Sequence, residues 1–189
     1  MNSSRNNLII ELYQSPRTVF TLPSIMLLTG EDDPASLSSR LNYQVQNGRL
    51  LNPRRGLYCK PQYSKEELCT QLYRPSYISL EYVLQRAGVI FQYDSTITAI
   101  SYLSRELDVD GTHLRYRRVK SMILGATEGI LHSESCSIAT PERALLDLMY
   151  LESNCFFDNL RPLNAKDIFR LLPHYSCKKL EARVKDLFN

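Results

Sequence analysis

The chain has no tryptophan and only three histidines, His113, His132 and His174, scattered over some sixty positions. That scatter offers no zinc ligand set and no paired imidazole for nucleophilic or acid–base chemistry. Seven glycines are too few and too dispersed for a phosphate-cradling loop, and no serine stands in a nucleophile-elbow setting. The five cysteines (Cys59, Cys69, Cys136, Cys155, Cys177) are odd in number and include no C-x-x-C pair. They are expected to be reduced and buried. No apolar run approaches the roughly 18 residues of a membrane span. The start M-N-S-S-R-N-N lacks the apolar core of a signal peptide. The expectation is a cytoplasmic protein with no membrane partner, no metal and no cofactor.

Enzymatic readings fail mostly by absence. A metal-dependent nuclease would follow Asp108 and Asp110 with an acid–lysine pair, but His113-Leu114-Arg115 stands there, so Asp108-Val109-Asp110-Gly111 reads as a turn. Ser135-Cys136-Ser137 could hold a nucleophile. Nothing around it supplies a base, and a buried structural cysteine is the better reading. The chain is read as a non-enzyme.

What is present is ordinary globular material: 189 residues, 43% hydrophobic, 23% charged, with twelve tyrosines and six phenylalanines. That length is comfortable for two modules, the first of about 60 to 75 residues. Net charge is +3 overall, distributed as +3 over 1–75, −3 over 76–112, +4 over 113–120, −5 over 121–160 and +4 over 161–189. Such blocks fit separate basic and acidic faces, although solvated helix surfaces give them too.

The stretch from Asp33 to Tyr58 organises the first module. Asp33 is placed to cap a helix, Pro34 fits its first turn and Gly48 suits a left-handed residue after its end. Leu37, Leu41 and Val45 recur every four residues as a buried stripe, leaving a short polar face outward. After Gly48, R-L-L-N-P-R-R-G-L-Y reads as a hairpin with Arg54 and Arg55 at its tip. From Asp33 to Lys60 the only acid is the cap, against Arg40, Arg49, Arg54, Arg55 and Lys60. Upstream lie a helix from Asn7 to Gln14, a short strand at Thr18-Val19-Phe20 and a two-turn helix from Pro23 to Gly30. Helix, strand, helix, turn, helix, strand, arginine tip, strand is the order of a winged helix-turn-helix that meets DNA. Such a module can also serve protein–protein contact, but adjacent arginines at an exposed turn favour phosphate. The DNA-binding candidates are Ser36, Ser38, Ser39, Arg40, Asn42, Tyr43, Arg49, Arg54 and Arg55.

Lys60-Pro61-Gln62-Tyr63-Ser64 breaks the pattern, dividing the chain into 1–63 and 64–189. Beyond it Ser64 reaches toward Glu67 in a capping-box arrangement opening a helix to Leu72. Ser79 reads as the cap of a helix that buries Leu80, Val83, Leu84 and Ala87 and ends at Gly88. Thr96 to Tyr102 and His113 to Lys120 alternate as strands, paired here as an antiparallel hairpin. Ile130-Leu131 and Ser137-Ile138 bracket a turn, and Thr140-Pro141 caps a strongly apolar helix through Leu151. Lys166 to Leu172 and Lys178 to Phe188 are basic amphipathic helices. The fold class is α+β: the winged module, then a mixed α/β domain with an antiparallel hairpin or small sheet and packed helices. Arg115, Arg117, Arg118 and Lys120 are a second basic patch, either a solvated strand edge or a site for an acidic or nucleic-acid partner.

The segments N-G-R-L-L-N-P-R-R-G-L-Y, Y-I-S-L-E-Y-V-L-Q-R-A-G-V-I and S-I-A-T-P-E-R-A-L-L-D-L resemble, in order and spacing, the AbiEi-like antitoxins of abortive-infection toxin–antitoxin systems. The resemblance spans about residues 5 to 152, and the second and third segments together are its more specific part. It implies an N-terminal domain that represses its own operon by binding double-stranded promoter DNA. It also implies a C-terminal domain that counters a neighbouring nucleotidyltransferase toxin, in a family without catalytic residues. Ser36, Ser38, Ser39, Asn42 and Tyr43 would form the recognition face and Arg54 and Arg55 the wing; Arg115, Arg117, Arg118 and Lys120 are the open choice for toxin contact. The alternatives are a stand-alone winged-helix regulator whose second domain binds a ligand or oligomerises, and a DNA-directed enzyme.

Overall fold

The computed structural model describes residues 3–188, with only the backbone of 3–7. It divides the chain into two units, Met1–Leu72 and Tyr73–Asn189.

Unit one runs α1 (Ser3–Gln14), β1 (Val19–Thr21), α2 (Leu22–Thr29), α3 (Pro34–Gln46), β2 (Leu51–Arg54), β3 (Leu57–Cys59) and α4 (Lys65–Leu72). Each boundary has a local cause. Thr21 and Ser24 form a reciprocal capping box at the start of α2, and Gly30 ends it at φ +66°. Asp33 accepts from Ala35 N at the start of α3, with Pro34 in the first turn. The three strands pair antiparallel in the order β1-β3-β2. Between Leu51 and Arg54 the register shifts. Pro53 has no N–H to give, and Asn52 Nδ2 donates to the Leu57 carbonyl (2.9 Å) beside it. Leu8, Leu12, Phe20, Ile25, Leu37, Leu41, Leu50 and Tyr58 make the core; Val45, expected on the buried stripe, packs at its margin.

The division between units falls after Leu72 rather than after Tyr63, because α4 is tied to β1. Thr18 donates from its N–H (2.8 Å) and its hydroxyl (2.6 Å) to Glu67 Oε2, and Ser64 N donates to Thr18 Oγ1 (2.9 Å). Half of the anticipated capping box forms, with Glu67 N donating to Ser64 Oγ. The Glu67 carboxylate goes to Thr18 instead, and Leu68 and Cys69 are fully buried behind it.

Unit two is built on one six-stranded mixed sheet in the order β6-β7-β5-β4-β9-β8. These strands are β4 (Ser76–Ile78), β5 (Ile97–Ser101), β6 (Arg105–Val109), β7 (Thr112–Arg118), β8 (Ile130–His132) and β9 (Ser137–Ala139). The helices are α5 (Glu81–Arg86), α6 (Ser121–Gly125), α7 (Pro141–Leu151), α8 (Ala165–Leu171) and α9 (Lys178–Phe188), with a 3-10 turn at Leu172–Tyr175. Helix α7 is the centre of the packing, with Ala144, Leu145, Leu146, Leu148 and Met149 buried.

Three expectations are corrected here. The antiparallel hairpin does not join Thr96–Tyr102 to His113–Lys120. Strand β5 pairs with β7 in parallel, and the antiparallel partner of β7 is β6. Asp110 (φ +48°) and Gly111 (φ +70°) form a two-residue turn of the kind that brings the immediately preceding segment back alongside. That segment, R-E-L-D-V, is polar enough to pass for loop, while all five residues of β5 are buried, as in an interior strand. Second, Ser79 does not cap α5. Thr98 Oγ1 accepts from Tyr82 N (3.1 Å) and donates to Ser79 O (2.6 Å), so the cap comes from a neighbouring strand. Leu80, between them, is held at φ +63°, ψ −142°, a conformation costly for a side-chain-bearing residue. Third, only Cys59 and Cys69 are buried, the other three being half-buried; Cys136 lies in the β8–β9 turn with its N–H on Ser133 Oγ.

Candidate nucleic-acid interface and a second basic cleft

Helix α3 turns Leu37 and Leu41 inward with no exposure. Each such burial contributes about 1.5–3 kcal/mol. The opposite side presents Ser36, Ser39, Asn42 and Tyr43 to solvent, with Tyr43 61% exposed; Ser38 is half-buried at the flank. Among the described residues, the Asn42 amide meets only the Tyr58 hydroxyl, at a long 3.5 Å on its Oδ1. Its amide therefore keeps donor and acceptor capacity for an outside partner. Ser39 donates to Ala35 O (3.0 Å), which leaves its oxygen to accept.

The cations of this stretch divide by use. Arg40 is ion-paired with Glu31 in the turn ahead of the helix. Lys60 donates to Ser15 O (2.7 Å) and Tyr13 O (3.3 Å), completing the carbonyl end of α1. Burial also draws its pKa below the ordinary lysine value. Arg49 is exposed and reaches Gln44 Oε1 at 3.5 Å, while its carbonyl accepts from Tyr13 Oη (2.8 Å). Arg54 is not at the tip: it is the half-buried last residue of β2, opposite Leu57. The turn itself is Arg55-Gly56, Gly56 adopting φ +78° and Arg55 lying exposed. Of the acids between α2 and α3, Glu31 is matched by Arg40 and Asp33 is used as the cap, while Asp32 is exposed.

In unit two the basic patch also splits. Strand β7 lies between β6 and β5, so it is not an edge, and alternation sends Leu114 and Tyr116 to one face and Arg115 and Arg117 to the other. There Arg115 Nε pairs with Glu106 Oε1 (2.7 Å) and Arg117 Nη1 with Glu152 Oε1 (2.9 Å). Arg118 and Lys120, both exposed, instead line an open cleft of about 420 Å³ with Tyr102, Val119, Ser121, Leu124 and Tyr150.

Beneath lies a polar cluster that sequence reasoning missed. Arg143 and Asp147, both wholly buried on α7, form an ion pair (3.4 Å). Tyr77 (3.0 Å) and Ser79 (2.7 Å) donate to Asp147 Oδ2, and Tyr175 donates to Oδ1 (2.6 Å). Arg143 donates onward to Tyr77 Oη (3.0 Å) and to the carbonyls of Ile123 (2.7 Å) and Glu128 (3.1 Å). Its guanidinium also lies 5.5 Å and 5.3 Å from the ring centres of Tyr77 and Tyr175. Complete burial pushes the Asp147 carboxyl up, against the pull of Arg143 and the three hydroxyls. Burial, with Asp147 alongside, raises the phenols of Tyr77 and Tyr175. The signal was present: an arginine and an aspartate four apart on the apolar face of a helix must satisfy each other. The cluster joins the two specific segments of the resemblance, Tyr77 and Ser79 from one, Arg143 and Asp147 from the other.

No family model matches the chain, and no curated protein matches it. Among solved structures, the RV2827C protein from Mycobacterium tuberculosis is similar over 99% of this chain and 76% of that one, at TM-score 0.57 and 13% identity. A likeness at that identity is one of fold. No helix among the described residues is long and apolar enough to cross a membrane.

Proposed function

We propose that the protein is an antitoxin of the AbiEi-like kind, which binds the promoter of its own operon through unit one and counters a nucleotidyltransferase toxin through unit two. Unit one is read as a winged helix, α3 as its recognition helix and the β2–β3 hairpin as its wing. The observation that carries the DNA reading is the exposed, largely uncommitted face of Ser36, Ser39, Asn42 and Tyr43 beside a hairpin turn that offers Arg55. Asparagine matches the donor–acceptor edge of adenine, serine accepts or donates, and an exposed arginine at a turn suits phosphate. Helix α3 is amphipathic in the right sense, since its apolar side anchors it and the groups on its outer face keep hydrogen-bonding capacity for a partner.

The toxin half of the proposal rests on the Tyr77–Ile90 and Ser137–Leu148 segments. Co-expression with the product of an adjacent nucleotidyltransferase-like gene tests it: relief of toxicity is expected, and unrelieved toxicity beside soluble full-length protein contradicts it. A mobility shift with the upstream promoter at low salt tests the DNA half. One observation favours the alternative of a ligand-responsive regulator, namely the open cleft at Arg118 and Lys120.

A further inference from the structure

The cleft on unit two combines cationic, aromatic and steric features suited to a ligand. Its two cations are unspent: neither the Arg118 nor the Lys120 side chain has a hydrogen bond or ion pair among the described residues, whereas Arg115 and Arg117 on the same strand are both paired. No acid is among its lining residues, so two like charges two residues apart are held there without a counter-ion among the described residues. Its other lining residues include Tyr102, 48% exposed, and Tyr150, with Leu124 and Ser121. Its volume, about 420 Å³, lies in the range of roughly 300–1,000 Å³ usual for small-molecule sites.

The frame of the cleft is fixed from below. Val119, between the two cations, is buried, so Arg118 and Lys120 are presented from an anchored strand end. Tyr150 leans on Tyr175 with ring centres 5.6 Å apart, and Tyr175 in turn holds Asp147. Helix α6, which supplies Ser121 and Leu124, is pinned by Arg143 Nη2 on the Ile123 carbonyl (2.7 Å). The buried cluster thus sets two walls of the opening, and pre-set walls lower the cost of binding.

We infer that this cleft binds a nucleotide, with its phosphates on Arg118 and Lys120 and its base against a tyrosine ring, Tyr102 being the more accessible. Guanidinium and ammonium groups are the usual partners of phosphate oxygens, and exposed aromatic faces stack bases of any sequence. A free anion would need the cations alone, so the tyrosines separate a nucleotide site from a simple phosphate site.

The test is isothermal titration of the full chain with the four ribonucleoside triphosphates, with adenosine and with inorganic pyrophosphate, using circular dichroism to verify that each variant is folded. At least one triphosphate is expected to bind more tightly than pyrophosphate and far more tightly than adenosine. Arg118→Ala and Lys120→Ala should each weaken it about tenfold, as loss of one charge-assisted contact does. Tyr102→Ala should weaken the triphosphate by a similar factor and leave pyrophosphate unchanged, and Lys178→Ala, an exposed charge on α9, should change neither. The inference is overturned if no triphosphate binds at millimolar concentration, if pyrophosphate binds as tightly as every triphosphate, or if the folded cleft variants bind like the parent. It is equally overturned if only RNA or DNA oligomers bind there, which would make the cleft part of a macromolecular surface.

Discussion

Two helices carry polar side chains three or four residues apart, and they use them in opposite directions. On α3, Ser36, Ser39, Asn42 and Tyr43 face solvent and are mostly unspent; on α7, Arg143 and Asp147 face inward and every strong bond they make is internal. The first set is available to a partner, whereas the second holds β4, α6, α7 and the Leu172–Tyr175 turn together. A distinctive segment of sequence can therefore mark a fold as readily as a surface. The segments around Tyr77 and Arg143, the most specific part of the resemblance, meet in hydrogen bonds to a buried ion pair and not at an exposed face.

The comparison breaks most visibly at Asp147. Asp147→Ala leaves the Arg143 guanidinium buried without its counter-charge and should cost about 3–5 kcal/mol, read as a shift of the urea midpoint of unit two. Replacing both partners, Arg143→Met with Asp147→Leu, should be much less costly than either single change. A double variant as unstable as Asp147→Ala would mean that the hydroxyl partners, left unsatisfied, dominate. Next comes the boundary. A fragment ending at residue 63 lacks the Glu67–Thr18 bonds and the buried Leu68, and should be at least about 2 kcal/mol less stable than one ending at residue 72. Equal denaturation midpoints would return the boundary to Tyr63. The smallest effect belongs to the partly exposed Arg115–Glu106 pair, where Glu106→Gln should change stability by less than about 1 kcal/mol. It should also leave the Arg118–Lys120 cleft intact.

Much of unit one was legible because its punctuation is local: Asp33-Pro34, Thr21-Leu22-Pro23, Gly30, Gly48 and Gly56 each fix one boundary through caps or positive φ. Exposed Ser39, Asn42 and Tyr43 followed from spacing alone, whereas Ser38, placed outward with them, is half-buried. What spacing could not supply was the use of each cation. Arg40 is matched by Glu31 and Lys60 closes α1, both settled by tertiary neighbours. Arg54 moved from tip to strand because the turn needs only two residues. In unit two β5 and β7 were found but their pairing was not, since parallel pairing of β5 and β7 leaves no local trace, and β6 was missed because it hides behind its charges. The Arg143–Asp147 pair was visible as two charges on an apolar helix face, and reading that helix as apolar passed over it.

The central claim is that α3 reads bases while the hairpin turn touches phosphate, and a salt titration of DNA binding measures both at once. With the cognate promoter and a scrambled duplex, Arg55→Ala should weaken binding to both and flatten the log–log salt dependence by roughly 0.9 for the lost phosphate contact. Asn42→Ala should cost about 1–3 kcal/mol on the cognate duplex, little on the scrambled one, and leave the slope nearly unchanged. If Asn42→Ala lowers affinity equally for both duplexes, or Arg55→Ala keeps the parent slope, the face assigned to DNA is the wrong one.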